Sequence, residues 1–573
     1  MGVPGFFLWL IKNYKNKNII IQKEKLEDNI ILKKINNIDY LLLDTNCLIH
    51  PQCAKIIKEY YDINDDNLLE EKMIESIQKY IRYLIEYINP IKGVYIAIDG
   101  VAPLAKIKQQ RLRRFKSIAD KNLWDNIKKK HNKEVVNTWN TNAITPGTLF
   151  MEKLHNKFLE FIDTFTNLKI IYSSYLTPGE GEHKLLQFIK DNMNLSHIIY
   201  GLDADLIFLS LSSNCDNIYL LREASEFNKN NDNNVLNIVD INMLKNIIKE
   251  TMIKYILKID EFFDINKNNL ITNNLINDFI FICYFLGNDF LPHILSLEIY
   301  DNGIEILLIN YVKILSSLYY NCYLIDNVNI NQDFLKKFIN NLSLEEEYNL
   351  KKNYNKRIFR KYIGSDDYER ELFKIENLQF KFEDPILIGS DNHYNWRLRY
   401  YKYYFDLNED EIEFFCEKLV RHYLIGLKWV TLYYFDKCPS WNWYYPFDHP
   451  PFVSDINYYI KKFNIDDISF KLEKPIKPFI QLLSVLPPQS NYLLPEVLRK
   501  LMIDKKSSLH YLYPKEFEQD FINKKKHWMG IPILPPLNIK LIKKIYLQYK
   551  NELTDIENLR NINCFIFEKK VDI

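Results

Sequence analysis

The sequence predicts an α/β fold built on a mostly parallel sheet. Two apolar runs that each end in an acid, Ile38-Asp-Tyr-Leu-Leu-Leu-Asp44 and Gly93-Val-Tyr-Ile-Ala-Ile-Asp99, read as buried strands. Between them, about Glu70 to Ile88 reads as a helix, and a strand-helix-strand of this kind implies parallel strands joined by a crossover. Two further runs, around Leu168–Ser174 and His197–Leu209, repeat the pattern, and acids gather at each carboxyl end.

Taken in order, the chain opens with Met1-Gly-Val-Pro-Gly-Phe-Phe-Leu-Trp-Leu-Ile11. This stretch has no basic leader and no small-residue cleavage site, so it does not read as a secretory signal. Phe6 stands where a myristoylation pattern needs Ser or Thr. The segment after Asp99 is basic, and Pro103 at its start predicts a helix running through Lys128-Lys-Lys-His131. Lys106, Gln110, Arg113 and Arg114 fall at i, i+4, i+7 and i+8, on one face of it. Such a set can grip a terminal phosphate through charge-assisted bonds; the competing reading is a solvated basic face.

Leu168–Ser174 leads into Pro178-Gly-Glu-Gly-Glu-His-Lys184, and His197–Leu209 is broken by Gly201, Asp203 and Asp205. In extended chain the last two carboxylates share a face, where they repel unless a cation sits between them. Phe279–Leu286 reads as a helix stopped by Gly287, with Asp289 just beyond. In an open α/β sheet, ligands bind beyond the carboxyl ends of the strands. Asp44, Asp99, Glu180, Glu182, Asp203, Asp205 and Asp289 are therefore expected to converge there around divalent metal, since hard oxygen donors suit Mg²⁺ or Mn²⁺. His183 reads as a supporting residue, and Cys47 has no base partner that would make it a nucleophile.

Asn228–Asn234 is an Asn-rich low-complexity loop, and roughly 325–385 is a charged connector without a clear buried strand. From Trp396 to Trp528 the chain is dense in aromatics, most of them expected in the core, with one or two free to stack on bases. Formal net charge is only +1, so nucleic-acid binding must rest on locally segregated basic residues. The eight cysteines include no C-x-x-C pair, which argues against a zinc ribbon and a disulfide framework and for a reducing compartment. No apolar run reaches a membrane span, so no membrane is expected.

These stretches together resemble the 5′→3′ exoribonucleases of the Xrn/Rat type. The matching segments include Met1–Phe7, Leu43-Asp-Thr-Asn46, Ile98–Pro103, Gln109-Gln-Arg111 with Arg113-Arg-Phe115, Ile144–Thr148, Pro178–Lys184, Tyr200–Asp205, Leu221-Arg-Glu223, Gly287–His293, Ser440–Tyr445, Leu483–Pro488 and Tyr513–Phe517. They follow the family's order over nearly the whole chain. The resemblance implies a PIN/FEN-like metal nuclease core with a mixed, mostly parallel sheet, and an α-rich aromatic C-terminal region packed on it. The implied division is a core over 1–324 carrying a basic "tower" helix at about 104–131, the connector at 325–385, and 386–573 as the C-terminal part of one catalytic unit.

The resemblance also implies roles. The seven carboxylates are the metal ligands, for two Mg²⁺ (or Mn²⁺) ions, and Lys106, Gln110, Arg113 and Arg114 form the 5′-phosphate pocket. His50 and Trp441 or Trp443 stack the first bases, and Pro103 lies where duplex strands are forced apart. The implied substrate is single-stranded, 5′-monophosphorylated RNA, degraded processively to mononucleotides. A decapping enzyme or a helicase is the implied partner, and a cytoplasmic monomer is expected, with a nuclear location left open; the heavy use of Asn, Ile, Lys and Tyr points separately to an AT-rich genome, such as that of a large DNA virus or a protist. Phe447-Asp-His-Pro-Pro451 departs from the family's usual Tyr-His-Tyr-Ala-Pro, and the chain stops soon after Pro536, so the long C-terminal extensions and zinc knuckle of some relatives are expected to be missing. Two alternatives remain at this point: a FEN-like DNA flap nuclease on the same metal core, and a non-catalytic RNA-binding scaffold.

Overall fold

The computed structural model describes residues 5–14, 20–21, 35, 37–61, 63, 65–135, 139–223, 236–261, 263, 272–355, 365–379, 383–564 and 568–571. Its main strands are β1 (Ile20–Ile21), β2 (Tyr40–Asp44), β3 (Gly93–Ala97), β4 (Lys169–Ser173), β5 (His197–Tyr200), β6 (Ile218–Glu223), β7 (Leu236–Asp240) and β8 (Glu568–Val571). The chain divides into two units that interleave in sequence.

One unit comprises residues 34–185, 359–382 and 474–573. In it β2, β3 and β4 run parallel, and β8 lies antiparallel against β4. The parallel strands are buried almost end to end, as expected of a sheet covered on both faces. The crossover from β2 to β3 includes the helix Asp66–Ile88, capped by the Asp65 side chain and ended by left-handed Asn89. Its buried stripe of Leu69, Met73, Ile77, Ile81 and Leu84 repeats at helical spacing.

Register levels the carboxyl ends of these strands: Asp44 pairs with Ala97, and Ala97 with Ser173. The turns that follow knit together, with Gly100 N–H donating to Gly179 O and Gly179 N–H to Val101 O, both at 2.9 Å. A Cβ on Gly100 would lie 1.9 Å from the Thr177 carbonyl, so only glycine allows this approach.

The other unit comprises residues 1–33, 186–358 and 383–473. Here β5 and β6 are parallel, β7 runs antiparallel to β6, and β1 antiparallel to β7. One expectation is corrected: Asp203 and Asp205 do not share a face of an extended strand. The strand ends at Tyr200, residues 201–204 turn, and Asp205 opens the helix Asp205–Ser212. The physical reason is tertiary. The guanidinium of Arg222, on β6, binds the Leu202 and Asp203 carbonyls and so replaces strand partners, while the apolar residues that follow pair their backbone as a helix buried on every side.

Where charge suggested a connector, Gln332–Asn355 is a helix burying Phe334, Leu335, Phe338, Ile339 and Leu342. The Asn-rich loop at 228–234 lies outside the described residues. The fold is thus α/β, with a mixed sheet whose antiparallel pairs are confined to β7 and the edge strands, and a helical C-terminal region. Among the described residues no helix is long and apolar enough to cross a membrane.

Candidate active site

In the unit built on β2–β4, four of the predicted acids lie around one glycine. Asp44 closes β2 and is buried, and Asp99 follows β3 by two residues. Glu180 and Glu182 flank Gly181, the first residue of the helix Gly181–Asp191, and both are buried. Gly181 N–H donates to Asp99 Oδ1 at 2.6 Å. A Cβ on Gly181 would lie 2.8 Å from Asp44 Oδ1 and 3.3 Å from Asp99 Oδ1, so the two carboxylates close on a space only glycine leaves open.

Supports surround them. Asn46 Oδ1 accepts from Asp99 N–H at 3.1 Å, and Cys47 Sγ donates to Asp44 Oδ2 at 3.0 Å. Lys184 Nζ donates to the carbonyls of Ile98 and Ser174, pinning the ends of β3 and β4. Desolvation, and next the charge of Glu180, push the Asp99 carboxyl up; the Gly181 N–H, Lys106 and Lys184 oppose this.

The basic stretch forms the 27-residue helix Leu104–Lys130, with Pro103 buried at its N-terminus. Lys106, Gln110 and Arg114 are buried, whereas Arg113 is exposed. Lys106 Nζ pairs with Glu180 Oε1 at 2.6 Å, which joins the basic face to the acids. Gln110 Oε1 accepts from Gln481 Nε2 at 3.2 Å. Arg114 Nη1 is buried with no hydrogen-bond partner among the described residues. Burial, aided by the charge of Arg113, brings its guanidinium down to about 9, a setting that favours an anion beside it. Arg111, which sequence reasoning passed over, donates instead to the carbonyls of Leu512 (2.6 Å) and Ser484 (3.4 Å). His50 is exposed on the helix Asn46–Glu59.

The remaining predicted residues belong to the other unit. Asp205 is buried and accepts from Tyr434 Oη at 2.9 Å, while Asp203 and Asp289 are half-buried. Asp289 sits in a turn organised by Asn288, whose Oδ1 accepts from the N–H groups of Phe290 and Leu291. Trp443 stacks on buried Trp429, with ring centroids 5.1 Å apart, so one of its faces is already covered. Trp441 is half-buried. Arg222 and Tyr434 were not singled out as site residues. Arg222 lies inside the quoted Leu221-Arg-Glu223, but nothing local marks Tyr434, 229 positions from the acid it touches.

Among the described residues, no three His, Cys, Asp or Glu side chains stand in a ready-made metal-holding arrangement. The donors nevertheless fit a divalent ion. They are hard carboxylate oxygens, Asp44 and Asp99 close on the space beside Gly181, and the strain on Asp99 is of the kind a cation relieves.

Comparison with known proteins agrees with this chemistry. Residues 1–224 match a family model described as XRN 5'-3' exonuclease N-terminus, and residues 269–382 and 366–566 match the Xrn1 helical domain. The chain is 31% identical to 5'-3' exoribonuclease 2 of Arabidopsis thaliana over 99% of this chain and 69% of the relative. It is 29% identical to 5'-3' exoribonuclease 2 of Debaryomyces hansenii over 98% and 71%. With human 5'-3' exoribonuclease 1 the identity is 29% over 98% of this chain and 35% of that protein.

Proposed function

Because this chain belongs to the XRN family of 5'-3' exoribonucleases, we propose that it removes mononucleotides processively from single-stranded RNA carrying a 5′-monophosphate. The protein is a metal-dependent nuclease with a PIN-like core that degrades RNA from its 5′ end. The finer reading concerns which residues act and on which end.

The observation that carries it is Arg114: a buried guanidinium with Nη1 unpartnered, on the helix row that also presents Lys106 and Gln110. An RNA 5′-phosphate is the partner it lacks, and exposed Arg113 adds charge at the rim. Each charge-assisted bond is worth roughly 1.5–3 kcal/mol, so a 5′-hydroxyl end would be disfavoured by about tenfold or more per lost contact.

Asp44, Asp99, Glu180, Glu182, Asp203, Asp205 and Asp289 are the proposed ligands of two Mg²⁺ (or Mn²⁺) ions. The chemistry such ions supply when bound is activation of the attacking water and stabilisation of the leaving 3′-oxygen. Around them, Lys106 balances the charge of Glu180, and Gly181 and Lys184 hold Asp99 and the strand ends in place. His50 and Trp441 or Trp443 are proposed to stack the first bases, and Pro103 to mark where paired strands part. A decapping enzyme or a helicase would deliver such ends to a monomer acting in the cytoplasm.

The test is degradation of 5′-labelled single-stranded RNA in Mg²⁺, with monophosphate and hydroxyl ends compared. Wild type should release labelled mononucleotide from the phosphorylated RNA, Asp205→Asn should be inactive, and Arg114→Gln should lose at least tenfold of the end preference. Internal cuts, or indifference to the 5′ end, would reject the reading.

A further inference from the structure

A metal ligand on a turn is only as well placed as the turn. Residues 201–204 lie outside strand and helix, tied by backbone bonds at their ends, where Gly201 N–H donates to Leu221 O at 3.4 Å and Ala204 O accepts from Ile207 N–H at 3.1 Å; the adjoining helix Asp205–Ser212 is eight residues, about 12 Å, long. Two buried side chains from distant positions occupy this junction. Arg222 is 2% exposed, binds both the Leu202 and Asp203 carbonyls, and lies with its guanidinium carbon 4.2 Å from the ring centroid of Phe7 on the N-terminal helix. Tyr434, on the helix Glu409–Phe435, touches both ends of Asp205–Ser212: its hydroxyl donates to Asp205 Oδ1 at 2.9 Å and its carbonyl accepts from Ser212 Oγ at 3.0 Å.

From this geometry we infer that Tyr434 and Arg222 are positioning residues for the metal-facing acids, Tyr434 fixing the Asp205 carboxylate and Arg222 fixing the backbone that carries Asp203. The inference rests on the proposal that these acids are ligands. It goes beyond that proposal by assigning the accuracy of their placement to two groups outside the proposed ligand set. Tyr434 supplies a buried donor to one carboxylate oxygen, which helps fix its rotamer. Arg222 serves two adjacent carbonyls from separate nitrogens of one planar fork, which reaches further and is more rigidly oriented than the single nitrogen of a lysine. The neighbouring Tyr284 provides an internal control: its ring lies 5.6 Å from that of Tyr434, but its buried hydroxyl has no hydrogen-bond partner among the described residues.

The experiment uses the full chain without RNA and titrates Mn²⁺, read by electron paramagnetic resonance of the free ion, for wild type, Tyr434→Phe, Tyr284→Phe, Arg222→Lys and Asp205→Asn. Melting temperatures, RNA KM and kcat against Mg²⁺ are recorded in parallel. Tyr434→Phe and Arg222→Lys should each weaken Mn²⁺ binding roughly tenfold or more and raise the Mg²⁺ needed for half-maximal kcat, with RNA KM unchanged. Tyr284→Phe, which removes an equivalent hydroxyl, should bind as wild type. If Asp205→Asn loses a site while Tyr434→Phe and Arg222→Lys bind as wild type, the positioning role is rejected and the ligand assignment stands. If Asp205→Asn also binds as wild type, the ligand assignment itself falls. A lowered melting temperature with unchanged Mn²⁺ affinity in both positioning variants would show that they serve only stability.

Discussion

At the scale of single residues, Gly181 concentrates the site's geometry. Its N–H serves Asp99, and its missing side chain is the space on which Asp44 and Asp99 close. Gly181→Ala would place a Cβ 2.8 Å from Asp44 Oδ1 and 3.1 Å from the Ala97 carbonyl, and the backbone oxygen cannot move aside. Alanine suits a helix start, but the clash must be relieved by a shift, so activity and stability should both fall. We predict kcat down roughly ten- to a hundredfold, with a stability loss of roughly 1–3 kcal/mol. Rate and denaturant midpoint measured on one preparation would check it; a large stability loss with an unchanged rate would count against it. The acids of this cluster were legible in the sequence because each comes soon after a short apolar run that reads as a strand. The glycine's role was not, since it depends on what two other segments bring to it. Arg113 and Arg114 show the same limit. Adjacent and chemically identical, they were grouped on one face, yet the buried row is Lys106, Gln110 and Arg114, four residues apart each time, and Arg113 points outward.

At the scale of elements, the helix Leu104–Lys130 buries little apolar surface for its length of about 40 Å and is held by polar clamps instead. Arg111 reaches Ser484 and Leu512, Lys116 reaches Gln519 and the His527 carbonyl, and Lys130 with His131 reaches Glu371. Arg111→Met keeps the stem but leaves two buried carbonyls unserved, so a loss of roughly 2–4 kcal/mol is expected. Arg113→Met, on the exposed face, should cost less than about 0.5 kcal/mol. Urea denaturation of both variants tests the contrast; equal losses would mean the clamps carry no weight. The helix itself could be read from its residues, because Pro103 starts it and propensity sustains it. Elements set by tertiary partners could not. The turn at 201–204 exists because Arg222 takes its carbonyls, and β6 and β7 gave too little local signal to separate them from their surroundings.

At the scale of the whole molecule, each unit carries a buried titratable group, and the two respond to pH in opposite directions. Asp278 lies in the unit containing residues 186–358. It is fully buried and accepts from Tyr311 Oη and the N–H groups of Leu324 and Ile325. Burial outweighs these bonds and pushes the carboxyl from 3.8 up to about 7. A group raised by folding contributes stability that is full below its unfolded value and is lost as pH rises through its folded one. The Asp278 contribution should therefore decline by roughly 3 kcal/mol between pH 5 and pH 8. His155, in the other unit, lies against Tyr172, and burial brings it from 6.5 down to about 4. Its neutral form is favoured in the fold, so its contribution is full above 6.5 and falls by roughly 2 kcal/mol as pH drops from 7 to 5. Subtracting the profile of Asp278→Asn from that of wild type cancels every other group, and the advantage of wild type should be larger at pH 5 than at pH 8. The corresponding difference for His155→Asn should slope the other way, with wild type's advantage smaller at pH 5 than at pH 7. Chemical denaturation at these pH values measures both. Two flat difference profiles would mean that neither group titrates in this window, whereas opposite slopes would give a titratable marker for each half of the chain.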